Sequence, residues 1–475
     1  MADICIIYAR EDRKAVASLD RILSGLGWHV WWDEHLTGRG FPSAIQQELR
    51  DAACVLVVWS HHSADKEWVL DEARFVKETG RPLIQIKIEK VVVPVGFGQD
   101  EVVDLIAWPE SPSHIGFQRL LKRVSQSTGG PKNVWDGKRK LSLAVGGKSL
   151  ALPTFFRSVS SYEAPLQPYA AIQALELLKT EAVLVSAYDL THAKHRARII
   201  ASLRRQRSNG SIVLLDSGNY EAYRKDDGLW RKALFRKTLS LNCFDYAFCF
   251  DNLKPPPSVK ANVRDVVSRV IEDQGRSKFG TILPIVHIPI KNGNSNTAIA
   301  PDLLAGIAEA IRPDLIAVPE RELGSGVIER ARVVHEIRGR LDSLGWYQPL
   351  HLLGTGNPLS LAIFAAAGAD TFDGLEWCRT ATDHETALLY HFQQYDFFQH
   401  QTRSAESPVV RAAADADGVS YNAKVAFHNL EFFQVWIGDI RKDIAHGRID
   451  RLLRDFLPKG FFRDLARALP GVFEP

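Results

Sequence analysis

Ala53-Cys54-Val55-Leu56-Val57-Val58-Trp59-Ser60 is apolar at every position but the last. A strand with one wet face alternates apolar and polar residues. An unbroken run suits a strand covered on both faces, as in a parallel sheet flanked by helices. Its surroundings agree. Upstream, Asp3–Tyr8 reads as a strand, Glu11–Gly27 as a helix with Val16, Leu19, Ile22 and Leu23 on one face, and Trp28–Asp33 as a second strand. Downstream, Glu67–Thr79 reads as a helix stopped by Gly80-Arg81-Pro82. Leu83–Ile88 and Val102–Trp108 read as further strands, and Ile115–Gln126 as a closing helix. This alternation predicts an open, doubly wound α/β domain over residues 1–127.

Ser127-Thr128-Gly129-Gly130-Pro131-Lys132-Asn133 has no periodicity and marks a boundary, with a linker over 128–139. Beyond it, Lys140–Val145 and Lys148–Pro153 flank Gly146-Gly147, a two-residue hairpin signal. Eight apolar runs follow, each leading into a helical pattern: Thr154–Val159, Ala182–Ala187, Ser211–Asp216, Asp245–Asp251, Thr281–His287, Asp314–Val318, Leu350–Gly354 and Asp370–Leu375. That number and spacing predict a (β/α)8 barrel within 140–475. Asp216, Asp251, His287, Glu320, Thr355 and Asp373 cluster at the carboxyl ends of these runs, where such barrels carry their chemistry. Residues 384–475 read as helical, with Thr402–Ser420 as a loop.

At 475 residues the chain is long enough for two or three domains. With 45% hydrophobic and 24% charged residues it is neither disordered nor fibrous. No apolar run reaches bilayer-spanning length, and Asp3 stands where a signal peptide is basic, so no membrane segment is expected. Cys5, Cys54, Cys243, Cys249 and Cys378 form no CxxC pair, which points to a reducing cytoplasm. Net charge is +3; residues 1–127 hold 15 Lys and Arg against 18 Asp and Glu, and the remainder is mildly basic. That bias is a weak pointer to a nucleic-acid partner.

Several N-terminal motifs together resemble TIR domains: Asp3–Asp12 (DICIIYARED), Gly25–Asp33 (GLGWHVWWD), Gly38-Arg39-Gly40-Phe41, Val57-Val58-Trp59-Ser60, and Trp68-Val69-Leu70-Asp71-Glu72, which looks like the family's WxxxE element. Ile7 departs from the serine that many relatives carry. The resemblance implies a flavodoxin-like fold with a parallel sheet, and either an adaptor or an enzyme cleaving the nicotinamide–ribose bond of NAD. In the enzymatic case Glu72 is catalytic, and Tyr8, Arg10, Phe41, Ser60 and Trp68 contact NAD. The chemistry supports Glu72 independently. Departure of neutral nicotinamide leaves an oxocarbenium-like ribose, which a carboxylate stabilises. A four-residue spacing puts Trp68 and Glu72 on one helical face.

The second half resembles tRNA-guanine transglycosylases and their DNA-acting 7-deazaguanine relatives. The residues are Gly147–Ser160, Val183–Leu190, Leu215–Tyr220 (LDSGNY), Phe250-Asp251, His351–Pro358 (HLLGTGNP), Ala369–Asp373 (ADTFD) and His428–Phe433 (HNLEFF). The resemblance implies a TIM-barrel fold, a nucleophile at Asp373, an acid/base partner at Asp216 and base reading by Asp251. His287 stands in for the base-pocket glutamine, and Val318-Pro319-Glu320 for a glycine-rich strand, which puts His287 and Glu320 beside the base. The family's zinc cysteines are absent: none follows Cys378, so no structural zinc is expected and His428 reads as a core residue.

Three functions follow as alternatives. The first is an NAD-cleaving effector (glycohydrolase or ADP-ribosyl cyclase) in antiphage defence, with the barrel as sensor of a nucleoside, modified base, RNA or DNA, forming a homo-oligomer on activation. The second is a nucleic-acid base-exchange enzyme with the TIR part as assembly module. The third is a non-enzymatic adaptor.

Overall fold

The computed structural model describes residues 2–26, 28–32, 42–108, 114–129, 139–162 and 164–473. The chain divides into two compact units, Met1–Lys138 and Arg139–Pro475.

In the first unit, strands β1 (Ile4–Ile7), β2 (Val30–Trp31), β3 (Cys54–Trp59), β4 (Leu83–Lys87) and β5 (Val102–Asp104) form one sheet in the order β2-β1-β3-β4-β5. All pairings are parallel. This is the flavodoxin-like order. The apolar run behaves as its composition requires: all six residues of β3 are buried. Cys54, Leu56 and Val58 pack on one face with Val16, Leu19 and Leu23 of helix α1 (Arg13–Gly25), and with Phe117, Leu120 and Val124. Val55, Val57 and Trp59 pack on the other with Val69, Ala73 and Val76. The expected first helix opens with a 3₁₀ turn, Arg10–Asp12. Helix α2 (Pro42–Asp51) had no recognised sequence signal, while α3 (Glu67–Glu78) follows the expected span. Helix α4 (Ile115–Thr128) runs two residues past its expected end into the proposed linker. Gly129 then ends it in a left-handed conformation. Residues 130–138 of the proposed linker, and the Gly38–Phe41 loop, lie outside the described residues.

The second unit opens with the hairpin β6 (Ser142–Val145) and β7 (Lys148–Ala151), joined by Gly146 and Gly147 at φ 52° and 82°. Both turn positions need positive φ, which glycine adopts without a Cβ penalty. The eight expected strands all appear, β8 over its whole span, β15 shifted one residue past its expected end and the others trimmed: β8 (Thr154–Val159), β9 (Ala182–Ser186), β10 (Ile212–Asp216), β11 (Tyr246–Phe248), β12 (Thr281–Leu283), then, after a ribbon of two two-residue strands, β13 (Ile290–Lys291) and β14 (Asn294–Ser295), β15 (Ile316–Pro319), β16 (Leu350–Leu353) and β17 (Thr371–Gly374). They pair in parallel in the order β12-β11-β10-β9-β8-β17-β16-β15. The remaining edge is bridged where Ile285 meets Ala317, through Val286 N–H to the Ala317 carbonyl at 2.8 Å and Ala317 N–H to the Pro284 carbonyl at 3.0 Å. The result is a nearly closed parallel barrel.

Two expectations beyond the barrel need correction. Residues 384–475 are not helical throughout: β18 (Thr380–Thr382) pairs antiparallel with β19 (Leu389–His391). Thr402–Ser420 is not all loop, since α5 (Pro408–Asp415) lies inside it. Ser407 caps that helix by accepting from the Val410 N–H, Pro408 occupies its first turn, and Val410 and Ala413 are buried. The long helix α6 (Tyr421–Ala445) then covers the barrel wall, with Phe433 packed on Phe155 at 4.9 Å between ring centroids.

Gly218, which follows β10, is placed by a close approach. A Cβ there would lie 2.7 Å from the Tyr188 backbone nitrogen and 2.9 Å from the Trp230 ring, at φ +84°. Gly218→Ala is therefore expected to lower stability by about 2 kcal/mol or more. Urea unfolding measures this, and a change below about 0.5 kcal/mol would contradict the packing.

Candidate functional site

In the first unit the carboxyl end of β1 opens on a cavity of about 350 Å³. Its lining brings together Tyr8 and Arg10 after β1, Trp31 from β2, and Trp68 and Glu72 from α3, with Cys5 also in the wall. The four-residue spacing in α3 does what helical geometry demands: both side chains reach the same cavity. Trp68 is 41% exposed and forms an outer wall. Tyr8 is buried and meets Trp32 edge-to-face at 5.6 Å. Burial pushes the Cys5 thiol well above its ordinary value, and the Glu72 charge pushes it the same way. The wall beside Glu72 therefore holds a neutral thiol.

Ser60 is placed elsewhere. It is fully buried at the end of β3, outside the cavity lining. Its hydroxyl donates to Asp12 at 2.6 Å and accepts from the His62 and Ser63 N–H groups. Phe41 lies outside the described residues. Lys66 and Glu11, which carried no sequence expectation, also line the cavity and form an ion pair at 3.0 Å.

In the barrel, the parallel strands deliver acids to one end. Asp373 in β17 is 8% exposed and accepts from Ser158 Oγ at 2.9 Å and the Gly354 N–H at 3.0 Å. His351 Nε2 lies 3.1 Å from Asp373 Oδ1, while His351 Nδ1 meets Thr371 Oγ1 at 2.8 Å. A Thr371 hydroxyl donating to Nδ1 leaves Nε2 to donate to Asp373. Asp216 ends β10 and accepts the Gly218 N–H at 3.0 Å. Burial raises its carboxyl well above the usual range, and the charges of Glu221, Asp251 and Asp373 act in the same direction. Asp216 is thus suited to hold a proton at neutral pH.

Asp251 is the opposite case. Burial works to raise its pKa, but hydrogen bonds from His287 and Asn219 and the His287 charge outweigh it, and the carboxyl stays low. His287 Nε2 meets Asp251 at 3.0 Å and Nδ1 meets Glu322 at 2.7 Å. Burial alone would lower the imidazole pKa; the two carboxylates raise it to about 9. Both ring nitrogens are thereby engaged by carboxylates of the chain, and His287 links Asp251 to Glu322. Glu320 is also engaged, accepting from Arg330 at 2.7 Å and Thr355 at 3.2 Å. Glu322, Glu221 and Asp189 were not anticipated. Glu221 accepts from Ser160 and Ser186, both at 2.6 Å, and is raised by burial and by Asp189. Asp189 Oδ1 is buried with no hydrogen-bond partner among the described residues.

His428 is fully buried. Its Nε2 meets the Thr382 carbonyl at 2.7 Å, its Nδ1 meets Thr402 Oγ1 at 3.2 Å, and its ring stacks on His384 at 4.0 Å. Burial, reinforced by His384, lowers its pKa to about 3, so the ring is neutral. The family-type zinc does not fit this donor set. The ring's donor and acceptor are both taken by protein groups, and among the described residues no three His, Cys, Asp or Glu side chains converge to hold a metal.

The class is now defined: an open parallel α/β unit with a carboxylate in a cavity at the sheet's carboxyl end, and a parallel barrel with an acidic rim. Residues 4–121 match the family model of the TIR domain, and the N-terminal part of the chain is a TIR domain. The chain is also similar to the tRNA-guanine(15) transglycosylase of Aeropyrum pernix, 25% identical over 126 residues, or 26% of this chain and 25% of that protein. It thus spans about a quarter of the length of the curated relative it matches. Among the described residues, no helix is long and apolar enough to cross a membrane.

The His287 arrangement carries a pH signature. An unfolded histidine titrates near ~6.5 and the folded one near about 9. The folded state holds the extra proton between these values. The stabilisation is complete below about 6.5 and is lost as pH rises through 9, roughly 3 kcal/mol in all. Urea unfolding at pH 6 and pH 10 is expected to show this loss in the parent and not in His287→Gln. Equal slopes in the two proteins would refute the charged triad.

Proposed function

We propose that the chain is an NAD glycohydrolase effector of antiphage defence, active in the cytoplasm and regulated by its barrel. The observation that carries this reading is the convergence of Glu72, Trp68, Tyr8 and Arg10 on one 350 Å³ cavity in a TIR domain. Glu72 stabilises the oxocarbenium-like ribose as nicotinamide leaves. Tyr8 and Trp68 offer aromatic faces to the rings, and Arg10 a charge to the phosphates. NAD is substrate, the product is linear or cyclic ADP-ribose, and no structural zinc is required. The barrel rim reads a nucleoside, modified base, RNA or DNA: Asp216 donates a proton to the ligand edge while ionised Asp251 accepts from it. Ligand binding shifts the chain toward an active homo-oligomer through different affinities for two states.

A second reading is base exchange at a ribose carbon. It is favoured by Asp373, a buried carboxylate oriented by Ser158, His351 and Gly354, with its charge felt at Asp216, and by the similarity to a transglycosylase. Against it stand His287 and Glu320, whose polar atoms are turned to protein partners.

Glu72→Ala is expected to cut NAD consumption at least about 100-fold while the protein stays folded. Chromatography of NAD and its products, with circular dichroism alongside, decides this; full consumption by the folded variant sinks the assignment. Asp216→Ala and Asp373→Ala are expected to abolish NAD loss in phage-infected cells. Depletion equal to the parent's removes the rim from sensing, and loss of a base-exchange activity on tRNA or DNA instead favours the second reading.

A further inference from the structure

Lys66 directly precedes α3, the helix that carries Trp68 and Glu72. Its backbone is pinned: its N–H donates to the Ser63 carbonyl at 3.2 Å and its carbonyl accepts from Leu70 at 3.1 Å. Glu11 is pinned as well, in the 3₁₀ turn Arg10–Asp12, which Asp12 ties to Ser60 at 2.6 Å. The ion pair between them therefore joins two fixed walls of the Glu72 cavity, and both side chains remain about two-fifths exposed, at 42% and 43%. An exposed pair of this kind is weakly held and open to exchange with a stronger anion.

The cavity lining holds two cations, Arg10 and Lys66, and two carboxylates, Glu11 and Glu72. A dinucleotide with a diphosphate must keep its phosphates away from Glu72, which has to face the ribose. We infer that Lys66 is a diphosphate-binding residue of this cavity and that Glu11 occupies its ammonium group in the ligand-free protein, so that the diphosphate displaces Glu11 on binding. Lys66 then selects for phosphate-bearing forms of the substrate, and Glu11 tempers affinity, because it faces the incoming phosphate as a like charge once displaced. The inference rests on the glycohydrolase reading of Glu72.

The test uses the full chain carrying Glu72→Gln to stop turnover. Dissociation constants for NAD and for nicotinamide riboside, which keeps the glycosidic bond but has no phosphate, are measured by saturation-transfer NMR. Lys66→Ala is expected to weaken NAD about tenfold and leave the riboside within about twofold. Glu11→Gln is expected to tighten NAD about threefold. A merely structural role for the pair weakens both ligands alike in Lys66→Ala, and that result overturns the inference. NAD binding that ignores Lys66 overturns it while leaving the glycohydrolase reading intact. A chain that binds no NAD at millimolar concentration overturns both.

Discussion

Parallel strand pairing decides where chemistry sits in both units. When every neighbour in a sheet runs the same way, all carboxyl ends reach one edge, and the segments that follow them converge there. In the TIR domain this brings the residues after β1 to the start of α3, so that Tyr8 and Arg10 share a cavity with Trp68 and Glu72. In the barrel it gathers side chains more than 200 residues apart, as in the Ser158–Asp373 bond between adjacent β8 and β17.

Crowding acids at one edge creates an electrostatic problem, and the barrel solves it differently at each position. Asp373 is held by three polar groups. Asp251 keeps its charge because an imidazolium stands behind it, and that imidazolium persists because Glu322 holds its far side. Asp216 accepts the Gly218 N–H at its Oδ2 and has the charges of Glu221, Asp251 and Asp373 acting on it, which favours the neutral form. Neighbouring carboxyls thus differ in protonation, giving one donor and one acceptor at the same rim. A uniform ring of carboxylates would offer acceptors alone.

How much of this was legible follows from what kind of signal each feature leaves. Ala53–Ser60 announced its strand because burial on both faces leaves no polar position to vary. Ile212–Leu215 and Tyr246–Phe248 of the barrel repeat that signal, while Arg157 and His351 interrupt it in β8 and β16; Asp216, Asp251 and Asp373 fall toward the carboxyl ends of the expected runs. Helix α2 was missed because it is short and follows the Gly38–Phe41 segment, although Pro42 at its first position is a helix-start signal. Glu322 and Glu221 were missed for another reason. Each follows an already noted acid by a few residues, and only the 3₁₀ turn after β15 and the short helix after Gly218 show that the chain doubles back to present them. The TIR resemblance implied an NAD contact for Ser60, while the turn to Ser63 directs its hydroxyl to Asp12.

His428 shows how a residue keeps its place when its partners differ. A zinc ligand needs a free nitrogen lone pair. Here the Thr382 carbonyl requires Nε2 to carry the proton, and Thr402 supplies a donor to Nδ1. The buried ring stacks on His384, whose own pKa is also lowered by burial, so charging either ring would place a cation in an apolar site beside the other. The sign is opposite to that at His287. This stack is stabilising while the rings are neutral, above the ordinary histidine pKa of ~6.5, and loses its contribution as pH falls toward 3. One barrel unit therefore contains a histidine that must be charged and a histidine that must not be, and the difference lies wholly in what each ring touches: two carboxylates in one case, a carbonyl, a hydroxyl and another imidazole in the other.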